Sequence, residues 1–366
     1  MTTETVTTLA RFDELAADWD GLVEAMPRPS PFMLHGWLRS LWPLCEKPSV
    51  VVARRDGRLA AAIPLDVRRR GGLRVAELIG GMDAHLGDAL GDEALVGTLL
   101  DEAARLRFDY ADLFGMPAGS RISRVPGLRL LERVEAPVLE LRGAWEDVYA
   151  AHASSKTRQT HRRKLRRFGE LGRVEFALAT APDDLEAALE DSFRIHELRW
   201  RGRRDGSGLA RPAVREAHRA AYRALAGKSR ILTLALDGRT IAYNCVLVVA
   251  RRLYSHRLGF DPAYAQWSPG LLCTLELCAR AAEEGIERVE FLGGAEDYKL
   301  HLADRQEPLF EAVGLPQTAR GRAVVRARLG LVLARRRLKR SRRLQRLYVD
   351  GLAPARRAIA SVYTPR

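Results

Sequence analysis

Apolar side chains recur at helical spacing between residues 12 and 26, at Phe12, Leu15, Trp19, Leu22, Val23 and Met26, and Pro27, Pro29 and Pro31 end the run. Residues 32–44 predict a second, short helix. The run Val50-Val51-Val52-Ala53, the turn Arg55-Asp56-Gly57-Arg58 and the stretch 59–65 read as a hairpin closing near Pro64. Strands near 74–80 and 109–114 bracket a helix at 92–107, and a strand at 137–142 leads out of this half. The first half is therefore expected to be mixed α/β.

The same order of elements then returns. A basic helix near 154–171, capped by Ser154 or Ser155 and ended by Gly172, precedes a strand at 173–179 and helices at 182–200 and 212–227. A second hairpin pairs 230–236 with 240–249 through Asp237-Gly238, in a place matching Asp56-Gly57. Beyond Arg251-Arg252 come a strand at 253–260, a turn rich in Pro and Gly, a helix at 271–284 closed by Gly285, and a strand at 288–292. We read this as a duplicated α/β unit: residues 1–140, residues 141–315, and a basic, helical tail at 316–366.

Composition changes the picture chiefly through where the charge lies. The net charge is +14, yet residues 316–366 hold 15 Lys and Arg against the single acid Asp350, while residues 1–315 hold 45 of each sign. The tail carries the whole excess, so a nucleic-acid-binding reading of the entire chain fails. One basic cluster, 154–167, sits inside the neutral body with seven cations and no acid, and places Arg158, Arg162 and Arg166 on one helix face. It faces an anionic ligand or is simply a solvated face. Cys45, Cys245, Cys273 and Cys278 form no C-x-x-C pair, so buried thiols rather than a metal site are expected. No leader pattern and no apolar stretch of membrane-spanning length is present, which predicts a cytoplasmic protein.

The chemistry is concentrated in 253–294. A strand, a Pro/Gly turn and a helix place free amides and a positive dipole end at the helix start, where Ser268-Pro269-Gly270 suits a pyrophosphate. Plain alternation puts Tyr254, His256 and Leu258 on one face of the first strand, and turns Glu290 away from Val289 and Phe291 on the second. Glu290 is then the first candidate for a general base and His256 the second. A salt-bridged Glu290 and a structural His256 are the plain alternatives.

Several motifs carry a resemblance: Gly259-Phe260-Asp261-Pro262-Ala263-Tyr264, Ser268-Pro269-Gly270-Leu271-Leu272, Glu284-Gly285, Glu290-Phe291-Leu292-Gly293-Gly294 and Glu296-Asp297-Tyr298-Lys299. In this order they resemble the acetyltransferase domain of a bacterial GNAT subfamily linked to extracellular polysaccharide and cellulose synthesis, a relative of the Fem-type aminoacyltransferases. The likeness extends to 155–176, to His196-Glu197-Leu198-Arg199-Trp200 and, more loosely, to 32–42 and 62–65. It implies two tandem GNAT-like domains, the first degenerate and the second holding acetyl-CoA or another acyl-CoA, with no metal. The Q/R-x-x-G-x-G/A phosphate signature of that superfamily is replaced here by Ser268-Pro269-Gly270.

On this resemblance Gly259, Phe260, Ser268, Pro269, Gly270 and Leu271 are expected to bind the cofactor. Tyr298 is expected to protonate the departing thiolate, and Lys299 to hold an oxyanion or phosphate. Arg199, Trp200, Tyr254, Glu296, Arg158 and Arg162 are expected around the acceptor. The implied reaction is N-acylation, specifically N-acetylation, of an amine on an amino sugar or on a lipid-linked envelope or exopolysaccharide precursor. A Fem-type transferase using aminoacyl-tRNA and a non-catalytic binding protein of envelope machinery are the competing readings. In the tail, residues 320–346 combine an apolar run with dense arginine, suited to an anionic membrane surface more than to nucleic acid, because few aromatics accompany the charge; a flexible tail that contacts neither is the equal alternative.

Overall fold

The computed structural model of the chain describes residues 1–81, 85–201, 208–294 and 296–340, the side chains of 132, 133 and 338–340 excepted. The first half runs β1 (Thr2–Val6), α1 (Leu9–Asp13), α2 (Ala16–Glu24), α3 (His35–Leu41), β2 (Pro48–Arg55), β3 (Arg58–Arg70), β4 (Leu73–Leu78), β5 (Leu90–Gly91), α4 (Val96–Ala103), β6 (Tyr110–Pro117) and β7 (Leu128–Val134). It continues with β8 (Pro137–Glu140), α5 (Trp145–His152), α6 (Ser155–Gly169), β9 (Val174–Ala179), α7 (Pro182–Trp200), α8 (Pro212–Ala224), β10 (Ser229–Leu236), β11 (Arg239–Val249) and β12 (Arg252–Phe260). The last elements are α9 (Pro269–Glu283), β13 (Arg288–Glu290), α10 (Asp297–Leu302), β14 (Arg305–Gln306), β15 (Leu309–Gly314) and α11 (Ala319–Arg340).

The fold is mixed α/β with two mixed sheets. One has the order β1-β2-β3-β4-β6-β15-β7, with β5 on β3; the other has the order β14-β8-β13-β12-β11-β10-β9. Both Asp-Gly hairpins form as the sequence predicts. Asp56 and Gly57 have φ of 53° and 80°, and Asp237 and Gly238 have 48° and 77°. Positive φ at both central residues gives the turn whose twist matches the flanking strands.

Some expectations change. The helix expected over 12–26 divides at Leu15 into α1 and α2. Strand β3 does not stop at Pro64 but continues to Arg70. Pro64 is tolerated because β3 changes neighbours there: Ala61 and Ala62 pair with β5, and pairing with β4 begins at Leu65. The larger change is at the boundaries. β8 pairs with β13 and β14 in the second sheet, while β15, placed by sequence within 141–315, lies between β6 and β7 of the first. Each sheet is thus completed around the chain's crossing points, and a cut at 315 does not follow the sheets.

A common core joins the halves. Phe12, Trp19, Phe32, Trp37 and Leu38 pack with Leu185, Phe193, Tyr222, Tyr243 and Tyr254 in one buried cluster. The far face of the second sheet packs on α9 through Leu253, Leu272, Leu277 and Phe291. α11 is docked rather than appended. Gly321 lies so close to the residue before β6 that a Cβ would sit 1.9 Å from the Asp109 carbonyl oxygen, and Val325 packs with Val75, Tyr110 and Val313. The apolar side of this helix is thereby largely used against the protein, leaving Leu331 and Leu333 exposed. Residues 341–346 of the expected membrane segment lie outside the described residues. Among the described residues no helix is long and apolar enough to cross a membrane.

Candidate active site

β12 and β13 run parallel through three residue pairs, Arg252 with Arg288, Leu253 with Val289 and Tyr254 with Glu290. There β13 stops while β12 continues to Phe260. The C-terminal part of β12 therefore has no strand beside it on that side, which leaves main-chain donors and acceptors for another partner. The other edge of β12 carries a bulge. Arg257 pairs with Cys245 and Ser255 with Val246, so His256 is the additional residue. The bulge reverses the alternation read from sequence: Leu258 packs with Leu253 against α9, not with Tyr254 and His256.

At the mouth of the split lies the start of α9. Pro269 takes the first helical position, where a missing N–H costs nothing, and the amides of Gly270 and Leu271 have no intrahelical acceptor. Ser268, with φ of 56°, does not cap the helix; its Oγ accepts a hydrogen bond from Lys164 Nζ at 2.7 Å. Lys164 comes from α6, held over this loop by Phe168, whose ring lies 5.9 Å from Tyr264 and 5.8 Å from Trp267. A cation, two free amides and the positive end of a 15-residue helix thus converge. They fit a diphosphate. Sequence reasoning noted the basic cluster but not Lys164 in particular, because its distance to Ser268 is set by the packing of α6.

Deeper in the split, Arg199 Nη1 donates to the Leu258 carbonyl at 3.2 Å, with its guanidinium 5.6 Å from the centre of the Phe260 ring. Glu296 and Lys299 pair at 2.9 Å. Although partial burial works the other way, the Lys299 ammonium holds the Glu296 carboxyl below its usual range. Tyr298 is half-buried and its hydroxyl has no hydrogen bond among the described residues. Burial, followed by the Glu296 charge, pushes its pKa up, so it remains a phenol at neutral pH. Arg199, Glu296 and Lys299 are thus gathered around Tyr298.

The two candidate bases are placed otherwise. Glu290 is 0% exposed, with Oε2 2.6 Å from Arg28 Nη2 and Oε1 3.6 Å from Arg288 Nη1. It is a buried ionic tie between the halves rather than a base within reach of a substrate. Arg28, between Pro27 and Pro29, gave no sequence signal, since its partner lies 262 residues away. His256 is also buried. Its Nδ1 lies 3.1 Å from the Tyr222 hydroxyl, and burial and the Arg257 charge push its pKa well down, so it stays neutral. Trp37, Phe32 and His85 pack around it.

Five further residues have structural partners. Tyr254 is fully buried and donates to the Pro29 carbonyl, so it does not line an acceptor pocket. Gly259 makes room for Tyr243: a Cβ would come 2.5 Å from that ring. Arg158 Nη1 donates to the Ala153 carbonyl at 2.7 Å, closing the end of α5 instead of facing a ligand. Arg162 is exposed and 3.8 Å from Glu146. Trp200 stacks on His196 at 5.7 Å. Phe260 borders the split beneath Arg199, and Leu271 supplies one of the free amides.

Residues 155–300 match the family model of the acetyltransferase (GNAT) domain. The matched segment covers the split, α9 and the first four residues of α10, and the fold is GNAT-like. Among solved structures, the C-terminal domain of a protein designated a lysylphosphatidylglycerol synthetase from Agrobacterium fabrum is similar, at 15% identity over 87% of this chain and 96% of that one, with a TM-score of 0.56. FemX is similar at 10% identity over 85% and 97%, with a TM-score of 0.56. A conserved protein of unknown function from Bacteroides thetaiotaomicron is similar at 15% identity over 86% and 100%, with a TM-score of 0.57. These likenesses are of fold. A search of curated proteins gave no match in sequence.

Proposed function

We propose that the protein is an acyl-CoA-dependent N-acyltransferase, an N-acetyltransferase, acting on the amine of an amino sugar or of a cell-envelope or exopolysaccharide precursor. The observation that carries this reading is the split between β12 and β13 with the α9 amides and Lys164 at its mouth. Lys164, Gly270 and Leu271 would hold the cofactor diphosphate, and the unpaired edge of β12 would receive the amide-bearing arm. The bound cofactor supplies the activated acyl thioester.

This chain's residues then manage charge and protons. Glu296, ionised beside Lys299, attracts the cationic acceptor and takes the amine proton directly or through water. Arg199 braces the β12 backbone at Leu258 and adds positive potential where negative charge develops. Tyr298 keeps its proton until the C–S bond breaks, delivers it from Oη to the thiolate sulfur, and is reprotonated by the second proton that the nitrogen sheds as the amide forms. The acceptor class rests on the sequence resemblance to polysaccharide-associated relatives.

The exposed cations on α6, Lys156, Arg163, Arg166 and Arg167, favour one second reading, aminoacyl transfer from tRNA. Calorimetric titration with acetyl-CoA separates the two. Micromolar binding, weakened at least tenfold by Lys164→Glu and indifferent to added RNA, supports the acyl-CoA reading. No binding of any acyl-CoA, together with saturable binding of aminoacyl-tRNA, would replace it. Lys164→Glu is preferable to a change at Gly270, whose Cβ would press on Phe260 at 3.2 Å and disturb packing.

A further inference from the structure

A second charged cavity lies in the first half, formed by the turn before β2, the β3–β4 hairpin and the segment after α4. It is a half-open depression of about 610 Å³ lined by the exposed cations Lys47, Arg69, Arg74, Arg105 and Arg107, with Glu46 the one acid among them. Two buried carboxylates fix its walls from behind. Asp66 accepts from the Lys47 amide at 2.8 Å, and Asp109 accepts from the Arg74 amide at 2.7 Å. The Glu46 carboxylate turns onto the Arg69 amide at 2.9 Å. Arg105 pairs with Glu102, and Arg74 Nε is 3.9 Å from Asp109. Among the described residues, the side-chain cations of Lys47, Arg69 and Arg107 have no carboxylate partner.

Two features of this cavity run against local stability. Arg69 and Arg74 are direct cross-strand partners, so two like charges stand opposite each other on one face of the hairpin, an arrangement that costs stability unless an anion lies between them. Arg107 adopts φ 54° and ψ 58°, the left-handed conformation that glycine takes with least strain. The chain accepts strain at this position with an arginine at the cavity rim. Costs of this kind, gathered at one cavity of ligand-binding size, are characteristic of a functional site.

We propose that this cavity binds a phosphate-bearing molecule through Lys47, Arg69, Arg74 and Arg107, separately from the acyl-transfer site. The unpaired cations match a dianionic phosphate group, and arginine's planar fork favours phosphate oxygens. The phosphate belongs either to a soluble sugar phosphate or diphosphate or to an anionic lipid headgroup. α11, whose Arg320 lies near Asp109 beside this cavity, extends the positive surface that a bilayer would meet.

The full chain is titrated calorimetrically with inorganic pyrophosphate and co-sedimented with vesicles of phosphatidylglycerol in phosphatidylcholine. Wild type is compared with Arg69→Gln/Arg107→Gly and with the exposed control Arg11→Gln/Arg39→Gln. Losing a charge-assisted contact weakens binding by roughly tenfold or more, so the cavity variant should bind at least one probe at least tenfold more weakly, with the control unchanged. Arg107→Gly also relieves backbone strain, so unfolding does not explain a loss; a melting temperature at or above wild type confirms this. Loss confined to pyrophosphate assigns a soluble ligand, and loss confined to vesicles assigns a headgroup. Equal binding by wild type and the cavity variant, or no binding of either probe by wild type, overturns the proposal. Each titration is repeated on a Lys164→Glu background, so that pyrophosphate held at the α9 site is not counted as cavity binding.

Discussion

Replacing Arg28 by methionine tests the buried tie between the halves. Glu290 would lose its partner at 2.6 Å while remaining 0% exposed, with Arg288 at 3.6 Å as the remaining nearby cation. That guanidinium is already shared with Glu140 at 2.9 Å and Glu307 at 3.4 Å. Breaking a buried pair by removing one member typically costs about 3–5 kcal/mol, because the remaining charge is left desolvated. Partial compensation by Arg288 places the expected loss near the lower end, about 3 kcal/mol. Guanidinium-induced unfolding followed by tryptophan fluorescence measures it. The double variant Arg28→Met/Glu290→Gln removes the stranded charge and should recover about half of the loss or more, since a neutral amide is far cheaper to bury than a carboxylate. A loss for Arg28→Met below about 1 kcal/mol, or a double variant no more stable than the single one, would refute the reasoning.

Other consequences are equally specific. Tyr298→Phe should lower the acyl-transfer rate about 100-fold with acetyl-CoA affinity unchanged, as expected for loss of a proton donor; an unchanged rate removes Tyr298 from the chemistry. Gly321→Ala places a Cβ against the Asp109 carbonyl and should cost about 2 kcal/mol by lifting the start of α11; a thermal melt identical to wild type would show that the helix is not docked as described. Burial, Arg257 and Arg199 push the His196 pKa down to about 4. A folded pKa below the unfolded value means that the unfolded chain binds the extra proton. Stability from this group is therefore present above about pH 6.5 and is lost as pH falls toward 4. The slope of unfolding free energy over that window should flatten in His196→Gln, and an unchanged slope would assign the proton uptake elsewhere.

Much of the local structure was legible in the sequence because it depends on neighbours in the chain. Pro182 opens α7 and Pro212 opens α8 where a missing N–H is harmless, and Ser154 caps α6 by accepting from the Thr157 amide. Asp56-Gly57 and Asp237-Gly238 determine their hairpins through backbone freedom alone. The start of α9 and the concentration of positive charge at the C-terminus were likewise determined by sequence.

What tertiary structure decided concerns contacts between distant segments and one irregularity of register. Alternation along 253–260 misplaced Leu258 because a bulge at His256 adds a residue on one strand, and no local pattern marks it. The side chain of Glu290 became a structural tie because Arg28, far away in sequence, reaches it in a dry interface where a lone carboxylate could not remain. Lys164 reached Ser268 through the packing of Phe168 on Tyr264 and Trp267, and β15 entered the first sheet because its edges pair with β6 and β7. Sequence specifies turns, caps and faces through short-range sterics and periodicity; which charges meet, and which are left to water or a ligand, is settled only when separate segments exclude solvent together.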